Sequence, residues 1–277
     1  PAMRNAIHYG ADDNASGTAG VLEAAAWLAS RRGELRRSVL FLTFTGEERG
    51  LLGSRHFVDH PTVPLEKVVA MLNMDMIGRL DGRRLFIGGV KTSPAFLPIL
   101  DTLKAETGVD VVYGDGGMAP SDNTSFYAKG LPVLFFFSGM HRDYHRPTDD
   151  AEHIDAAGME KVATLAARTA FEIARLPERP AFQRADEGGA GPPRAVFGIR
   201  TQPAEGGVTV QVVMPGSAAE KAGLKAGDVI VAVAGTATPD LAALTDVMGQ
   251  RKPGETATVR IRRDGEERDV DVTFGRG

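Results

Sequence analysis

The sequence predicts an α/β protein, a three-layer α/β/α sandwich on a mostly parallel sheet, followed by a smaller α+β module. Unbroken apolar runs at Val39–Thr45, Val68–Met74 and Pro132–Phe137 read as buried strands. Helical patterns alternate with them, which calls for a parallel sheet with helices on both faces. After a stretch rich in proline, glycine and scattered charge, residues 177–194, the texture changes to short alternating strands. The expected organisation is therefore a first domain over residues 1–176, a linker over 177–194 and a second domain over 195–277.

The opening, Ile7–Gly17, is polar and punctuated by glycine, with Asp12, Asp13 and Asn14 in succession. From Ser16 to Arg32 an alanine-rich stretch spaces Val21, Leu22, Ala25 and Leu28 along one face, which predicts a helix closed by Gly33. The three polar residues then sit at the helix amino end, where backbone N–H groups favour anions. N-capping alone needs one such residue, not three. The strand Val39–Thr45 leads through Gly46 to Glu47 and Glu48, then to a short helix over Leu51–Val58. Read alone, the glutamate pair fits a solvated turn as well as a site. The run Val68–Met74 ends at Asp75 and Met76. Leu85–Ile87 is a short strand closed by Gly88-Gly89, Pro94–Thr107 a helix stopped by Gly108, and Val111–Tyr113 another strand. A glycine-rich loop, Gly114–Ser121, precedes a brief helix over Asn123–Ala128. Pro132–Phe137 gives way to Ser138-Gly139 and a polar stretch with Tyr144 and His145, and Ala156–Leu176 is a long amphipathic helix. In the second domain, strands at Val208–Val213, Val229–Val233, Ala257–Ile261 and Val270–Phe274 are interleaved with helices over Ser217–Ala222 and Asp240–Met248, and Asp264-Gly265 marks a hairpin.

With 277 residues the chain can bury a sizeable core. Its net charge of −4, spread so that neither domain is basic, argues against a nucleic-acid partner. The longest apolar run, Leu131–Phe137, falls far short of the ~20 residues a membrane helix needs, so no integral membrane segment is expected. There is no cysteine, which excludes disulfides and thiolate metal sites and restricts any metal to carboxylates and imidazoles. The chain begins at Pro1 rather than methionine, so a processed or truncated piece is expected. A periplasmic or secreted setting is a separate expectation, with no signal peptide visible in the sequence.

Three strand ends carry metal-type ligands: Glu47 and Glu48, Asp75, and His145. Open α/β sheets place their chemistry at strand carboxyl ends, and Asp13 lies at a helix amino end facing the same rim. Such donors suit a catalytic zinc site with an open position, and two ions a few ångströms apart would share one carboxylate.

Gly10–Gly17, Thr45-Gly-Glu-Glu48, Asn73-Met-Asp-Met76, Pro120-Ser-Asp122 and Tyr144–Asp150 resemble the motifs of the co-catalytic di-zinc aminopeptidases, in the family's order and over about residues 6–176. That superfamily, built on a phosphorylase/hydrolase-like sandwich, also holds glutamate carboxypeptidases, glutaminyl cyclases and the silent transferrin receptor. The resemblance implies two Zn²⁺ ions per complete site. Asp13 would bridge them, with a cis peptide to Asn14. Asp75 would bind one ion, Glu48 and His145 the other. Glu47 would be the general base and Tyr144 a hydrogen-bond donor to the oxyanion, although a packed aromatic is an equal reading of Tyr144. Met76, Gly117, Met118 and Asp122 would line the side-chain pocket, with core packing the stronger reading for Met76. The family's remaining ligand, a histidine in a His-x-Asp motif, belongs upstream of Gly10, and His8 does not replace it. At least one sheet strand is expected to be absent with it.

The C-terminal module resembles a bacterial HtrA-type PDZ domain in Ala195–Ile199, Met214–Ala219 and Gly223–Val231. Val196, Phe197, Gly198 and Ile199 would form a groove that takes a peptide C-terminus, with a spacer or intramolecular dock as the other reading. The function implied is zinc-dependent removal of N-terminal residues from peptide or protein substrates. A silent peptide-binding adaptor, a glutaminyl cyclase and a carboxypeptidase are the alternatives.

Overall fold

The structure, a computed structural model, describes residues 6–185 and 195–276, which form two compact units. The first contains helices α1 (Gly17–Ala29), α2 (Leu52–Asp59), α3 (Phe96–Thr107), α4 (Asn123–Ala128) and α5 (Ala156–Arg175). Its strands are β1 (Met71–Met74), β2 (Leu85–Gly88), β3 (Val111–Tyr113) and β4 (Val133–Phe137), in the sheet order β1-β4-β2-β3.

Alternation along β4 builds two cores. Leu134 and Phe136 face α3 and α5, packing with Leu85, Ile87, Phe96, Leu100 and Leu165. Val133 faces the other way, toward Val58 of α2 and Phe126 of α4. Helices thus cover both sheet faces, as the alternation of elements predicts. The sheet is mixed, however. β1 runs parallel to β4 and β2 parallel to β3, but β2 and β4 are antiparallel, Phe86 opposite Phe137 and Gly88 opposite Phe135.

Two local expectations are corrected. The first helix ends at Ala29, and Gly33 lies in a 3₁₀ turn over Arg32–Glu34 instead of capping it. The Trp27 carbonyl is taken by the Ser30 hydroxyl at 2.7 Å and the Arg31 guanidinium at 3.3 Å, so side chains compete with the next helical turn. The larger correction concerns Val39–Thr45, which joins no ladder among the described residues. A cleft of about 1100 Å³ separates this segment from β1, an edge strand, and its other walls come from α1 and α5. Leu40 and Phe41 accordingly remain 52% and 39% exposed. Hydrophobicity marks the segment as strand-like, but a strand exists only where a neighbour accepts its backbone hydrogen bonds.

Residues 177–185 lie against the first unit. Arg179 donates to the carbonyls of Glu66 and Val68, the Gln183 amide bonds the Thr92 carbonyl at 2.8 Å, and Phe182 packs on Tyr127. The rest of the expected linker, 186–194, lies outside the described residues.

In the second unit, β5 (Ala195–Val196) pairs with β12 (Gly275–Arg276). The main antiparallel sheet has the order β11-β10-β8-β7-β6. Its strands are β6 (Ile199–Ala204), β7 (Gly207–Val213), β8 (Val229–Val233), β10 (Thr256–Arg263) and β11 (Glu266–Thr273). A short β9 (Thr236–Ala237) pairs with β8, and helices α6 (Ala218–Lys221) and α7 (Leu241–Gly249) complete the unit. Asp264 and Gly265 both have positive φ, the backbone that a two-residue hairpin between twisted strands demands. Among the described residues no helix is long and apolar enough to cross a membrane.

Helix α5 is tied at its start by Asp155, whose carboxylate accepts the amides of Gly158 and Asp81, each at 2.9 Å. Asp155→Ala should lower unfolding free energy by about 1–2 kcal/mol, as for a lost N-cap. Urea unfolding with an unchanged m value would show it, and an unchanged midpoint would refute the capping role.

Candidate active site

The site gathers at one rim of the first unit. The turn over residues 11–16 supplies Asp13, whose backbone is non-helical (φ −107°, ψ 88°) and whose peptide to Asn14 is cis. Its neighbours on both sides pin it to the segment after β1. The Asp12 carboxylate accepts the Gly78 amide at 2.7 Å and the Ser16 hydroxyl at 2.9 Å. The Asn14 side chain donates to the Met74 carbonyl at 3.2 Å and accepts the Met76 and Gly17 amides. Gly17 must be glycine here, because a Cβ would stand 2.2 Å from the Met74 carbonyl oxygen.

Gly46, at φ 68°, turns the chain from the 39–45 segment into a 3₁₀ turn over Glu47–Arg49, presenting Glu47 and Glu48. Asp75 stands one residue past β1, and His145 lies in the turn after β4. Donor atoms of Asp13, Glu48 and His145 lie within 4.8 Å of one another. The His145 Nε2 is 2.8 Å from Glu48 Oε1 and 3.2 Å from Asp13 Oδ2. Met76 and His145 both have positive φ, 54° and 57°, so two bends beside the site are held in a backbone region that side chains disfavour.

Asp75 lies outside that trio. Asn73 donates to the Ser121 hydroxyl at 2.7 Å, and Ser121 donates to Asp75 Oδ2 at 2.6 Å, while Asp75 Oδ1 is buried with no hydrogen-bond partner. Asn73 and Ser121 both fall inside the motifs Asn73-Met-Asp-Met76 and Pro120-Ser-Asp122, but the sequence assigns neither a role of its own. Period-two alternation puts Asn73 on the same side of the strand as Asp75, and Ser121 adjoins Asp122, so both carried a usable signal.

Burial, then the charges of Asp75 and Glu48, push Asp13 up to about 7, against the pull of His145. Glu47 also rises to about 7, through burial first and then Asp75, Glu48, Asp122 and Asp13. Burial raises Asp75 to about 6 despite the Ser121 hydrogen bond. Tyr144 is pushed up to about 12, again by burial and then by the carboxylates, and its ring stacks on His145 at 3.7 Å. Asp122 is nearly buried, with one carboxylate oxygen unpartnered and its acidity weakened by burial.

The other pocket candidates separate. Met76 is 3% exposed, Met118 is 41% exposed, and Gly117 is packed under Tyr127, where a Cβ would meet the ring at 2.4 Å. His8 lines a small pocket with Asp13, Glu48 and His145 but is not among the converging donors. In the second unit the Phe197 ring is buried in the core, 5.3 Å from Phe274. Its carbonyl accepts the Ala219 amide at 2.8 Å, and Gly198 turns at φ 74°. Val196 pairs with Gly275, and Ile199 opens the edge strand β6.

The donor set fits zinc. Two carboxylates and an imidazole converge, leave room for a fourth ligand, and are surrounded by carboxylates that burial and mutual repulsion hold against ionisation. Residues 3–170 match the model for Peptidase family M28. The chain belongs to that family. Residues 195–274 match the PDZ domain model. A probable leucine aminopeptidase of Arthroderma benhamiae is 33% identical over 175 residues, covering 60% of this M28 chain and 48% of the relative. The Legionella pneumophila LapA aminopeptidase structure is similar at TM-score 0.54 and 27% identity, covering 62% of this chain and 48% of that one. BSAP, a zinc aminopeptidase from Bacillus subtilis, gives TM-score 0.52 and 27% identity, covering 64% and 46%. The chain spans about half the length of the curated relatives it matches.

Without metal, Glu47 stays protonated in the folded chain to about pH 7, whereas an unfolded glutamate titrates near pH 4.3. The folded state then binds more protons between those values, so stability falls as pH rises through that window. Glu47→Gln removes this share. In melts with a chelator present, the variant should gain on wild type from pH 4 to pH 7, and parallel curves would contradict the shift.

Proposed function

We propose that this M28 chain is part of a zinc-dependent aminopeptidase acting on peptides, with a C-terminal unit that binds peptide termini. The observation that carries it is the convergence of Asp13, Glu48 and His145 beside the half-buried Glu47. Asp13, Glu48 and His145 would hold one ion, and Asp75, with Asp13 shared, would face the second. Bound zinc supplies Lewis-acid polarisation of the scissile carbonyl and acidifies water toward neutrality.

The protein's own groups do the rest. Burial and neighbouring carboxylates keep Glu47 basic enough to take a proton from the attacking water and pass it to the leaving amine. Tyr144, whose phenol stays protonated to about 12, is a donor for the developing oxyanion. The ring of carboxylates, with Asp122 among them, favours a substrate's ammonium end over its carboxylate end, which supports amino- rather than carboxypeptidase action. At the second unit, the free edge of β6 is the place for a peptide to add as a strand. An exported setting, periplasmic or secreted, belongs to the same proposal.

We further propose that a strand from the rest of the longer protein fills the cleft between residues 39–45 and β1 and brings the remaining histidine toward Asp75. In a longer chain carrying that strand, the outward amides of β1 should become protected from hydrogen exchange and zinc stoichiometry should rise from one to two. Unchanged exchange would remove this part of the reading.

In that longer protein, Glu47→Gln should retain zinc and lose about 10²–10⁴-fold in aminoacyl-anilide hydrolysis, the range for a general base. A wild type that binds zinc yet is as inert as the variant would defeat the aminopeptidase reading in favour of a silent adaptor.

A further inference from the structure

One buried carboxylate outside the donor set has an unusual set of partners. Asp149 is 2% exposed, and three consecutive backbone amides converge on it from the far end of the sequence. The Ala11 amide bonds its carbonyl oxygen at 3.1 Å. The Asp12 amide is shared between its two carboxylate oxygens, each at 3.1 Å, and the Asp13 amide reaches Oδ2 at 3.0 Å. Two of the backbone amides leading into Asp13 therefore rest on one carboxylate, and a third on the same residue's main chain, in addition to the anchors that Asp12 and Asn14 supply.

Asp149 also belongs to the turn that carries His145. Its amide bonds the Arg146 carbonyl at 3.1 Å, closing that turn. Arg79, itself 7% exposed, stands 3.6 Å from Asp149 Oδ1 and 3.3 Å from Asp143 Oδ2, so one buried cation balances a carboxylate on each side of His145. Asp143 in turn accepts the Thr148 hydroxyl at 2.8 Å. The turn is braced internally, and the same brace holds the Ala11–Asp13 backbone.

We propose that Asp149 is a positioning residue for the metal site, fixing the Asp13 carboxylate against His145 so that the donors meet before any ion arrives. The proposal rests on the zinc reading above. A carboxylate is required because both oxygens must accept. An asparagine would turn an N–H₂ group toward one of the amides, or toward Arg79, and would lose the charge opposite that guanidinium. Groups behind metal ligands typically change affinity by about 10–100-fold when altered.

The test uses the whole chain and zinc ion alone, titrated against a chromophoric chelator, with the cobalt(II) absorption spectrum as a report on ligand geometry. Asp149→Asn should bind zinc about 10–100-fold more weakly and shift the cobalt bands, and Asp149→Ala should lose more. Arg79→Lys, which keeps a cation beside Asp149, should fall between wild type and Asp149→Asn, and it serves if the Asp149 variants do not fold. Leu100→Ala, a fully buried core truncation, should melt earlier yet bind zinc like wild type once folded. Wild-type affinity and spectrum in Asp149→Asn would overturn the proposal, as would a Leu100→Ala affinity loss matching its own. If wild type binds no zinc, or Glu48→Gln binds it equally well, the metal reading itself fails and takes this inference with it.

Discussion

The constraint on which the first unit depends is the crowding of negative charge at its rim. Burial first, and then the charges of their neighbours, hold Asp13 and Glu47 up to about 7 and Asp75 up to about 6. One imidazole, His145, partly offsets Asp13, and among the described residues no arginine or lysine is paired with Asp13, Glu48 or Asp75. Like charges a few ångströms apart in a half-buried setting cost several kcal/mol unless something positive intervenes. A divalent ion changes the sign of that balance, so the cluster is intelligible as a cation site and costly as anything else.

Such a cluster must be held by force from outside, and the surrounding hydrogen bonds supply it. Asp12 and Asn14 fasten the Asp13 turn to the backbone at 74–78, and Ser121 fastens Asp75 from the other side. Met76 and His145 sit at positive φ beside these anchors, a conformation that persists only where the neighbourhood over-determines it. Within the cluster His145 bridges only Asp13 and Glu48, so the placing of Asp75 depends on the turns and on Ser121.

Much of this was legible in the sequence where the signal was local. Asp75 ends a buried run, Glu47 and Glu48 follow a glycine after another, and α3 ends at Gly108 in the left-handed region, as a glycine stop predicts. What escaped depends on distant partners. The antiparallel pairing of β2 with β4 is a matter of register that neither strand states alone. The hydrophobic pattern of Val39–Thr45 is that of a strand, but among the described residues no neighbour takes up its backbone hydrogen bonds and the expected strand does not form. Asn73 lies in the motif that carries Asp75, but its bond to Ser121 depends on a loop 48 residues further along the chain. The end of α1 turned on Ser30 and Arg31 capturing the Trp27 carbonyl, a side-chain competition that a C-terminal glycine four residues later concealed.

The open cleft and the unpartnered oxygen of Asp75 meet at one edge of the sheet. The cleft runs beside β1 from Arg37 and Ile173 at one end to Asp75, Asp122 and Glu47 at the other. An edge strand with unpaired amides and an apolar groove alongside it is a template for one more strand, since neighbouring strands lie about 4.8 Å apart. A strand laid parallel to β1 would end at the same rim as Asp75, where one buried carboxylate oxygen has no partner. On the reading proposed above, one strand would both fill the groove and bring a ligand to Asp75. The apolar exposure of Leu40 and Phe41 and the unsatisfied Asp75 are two ends of the same requirement.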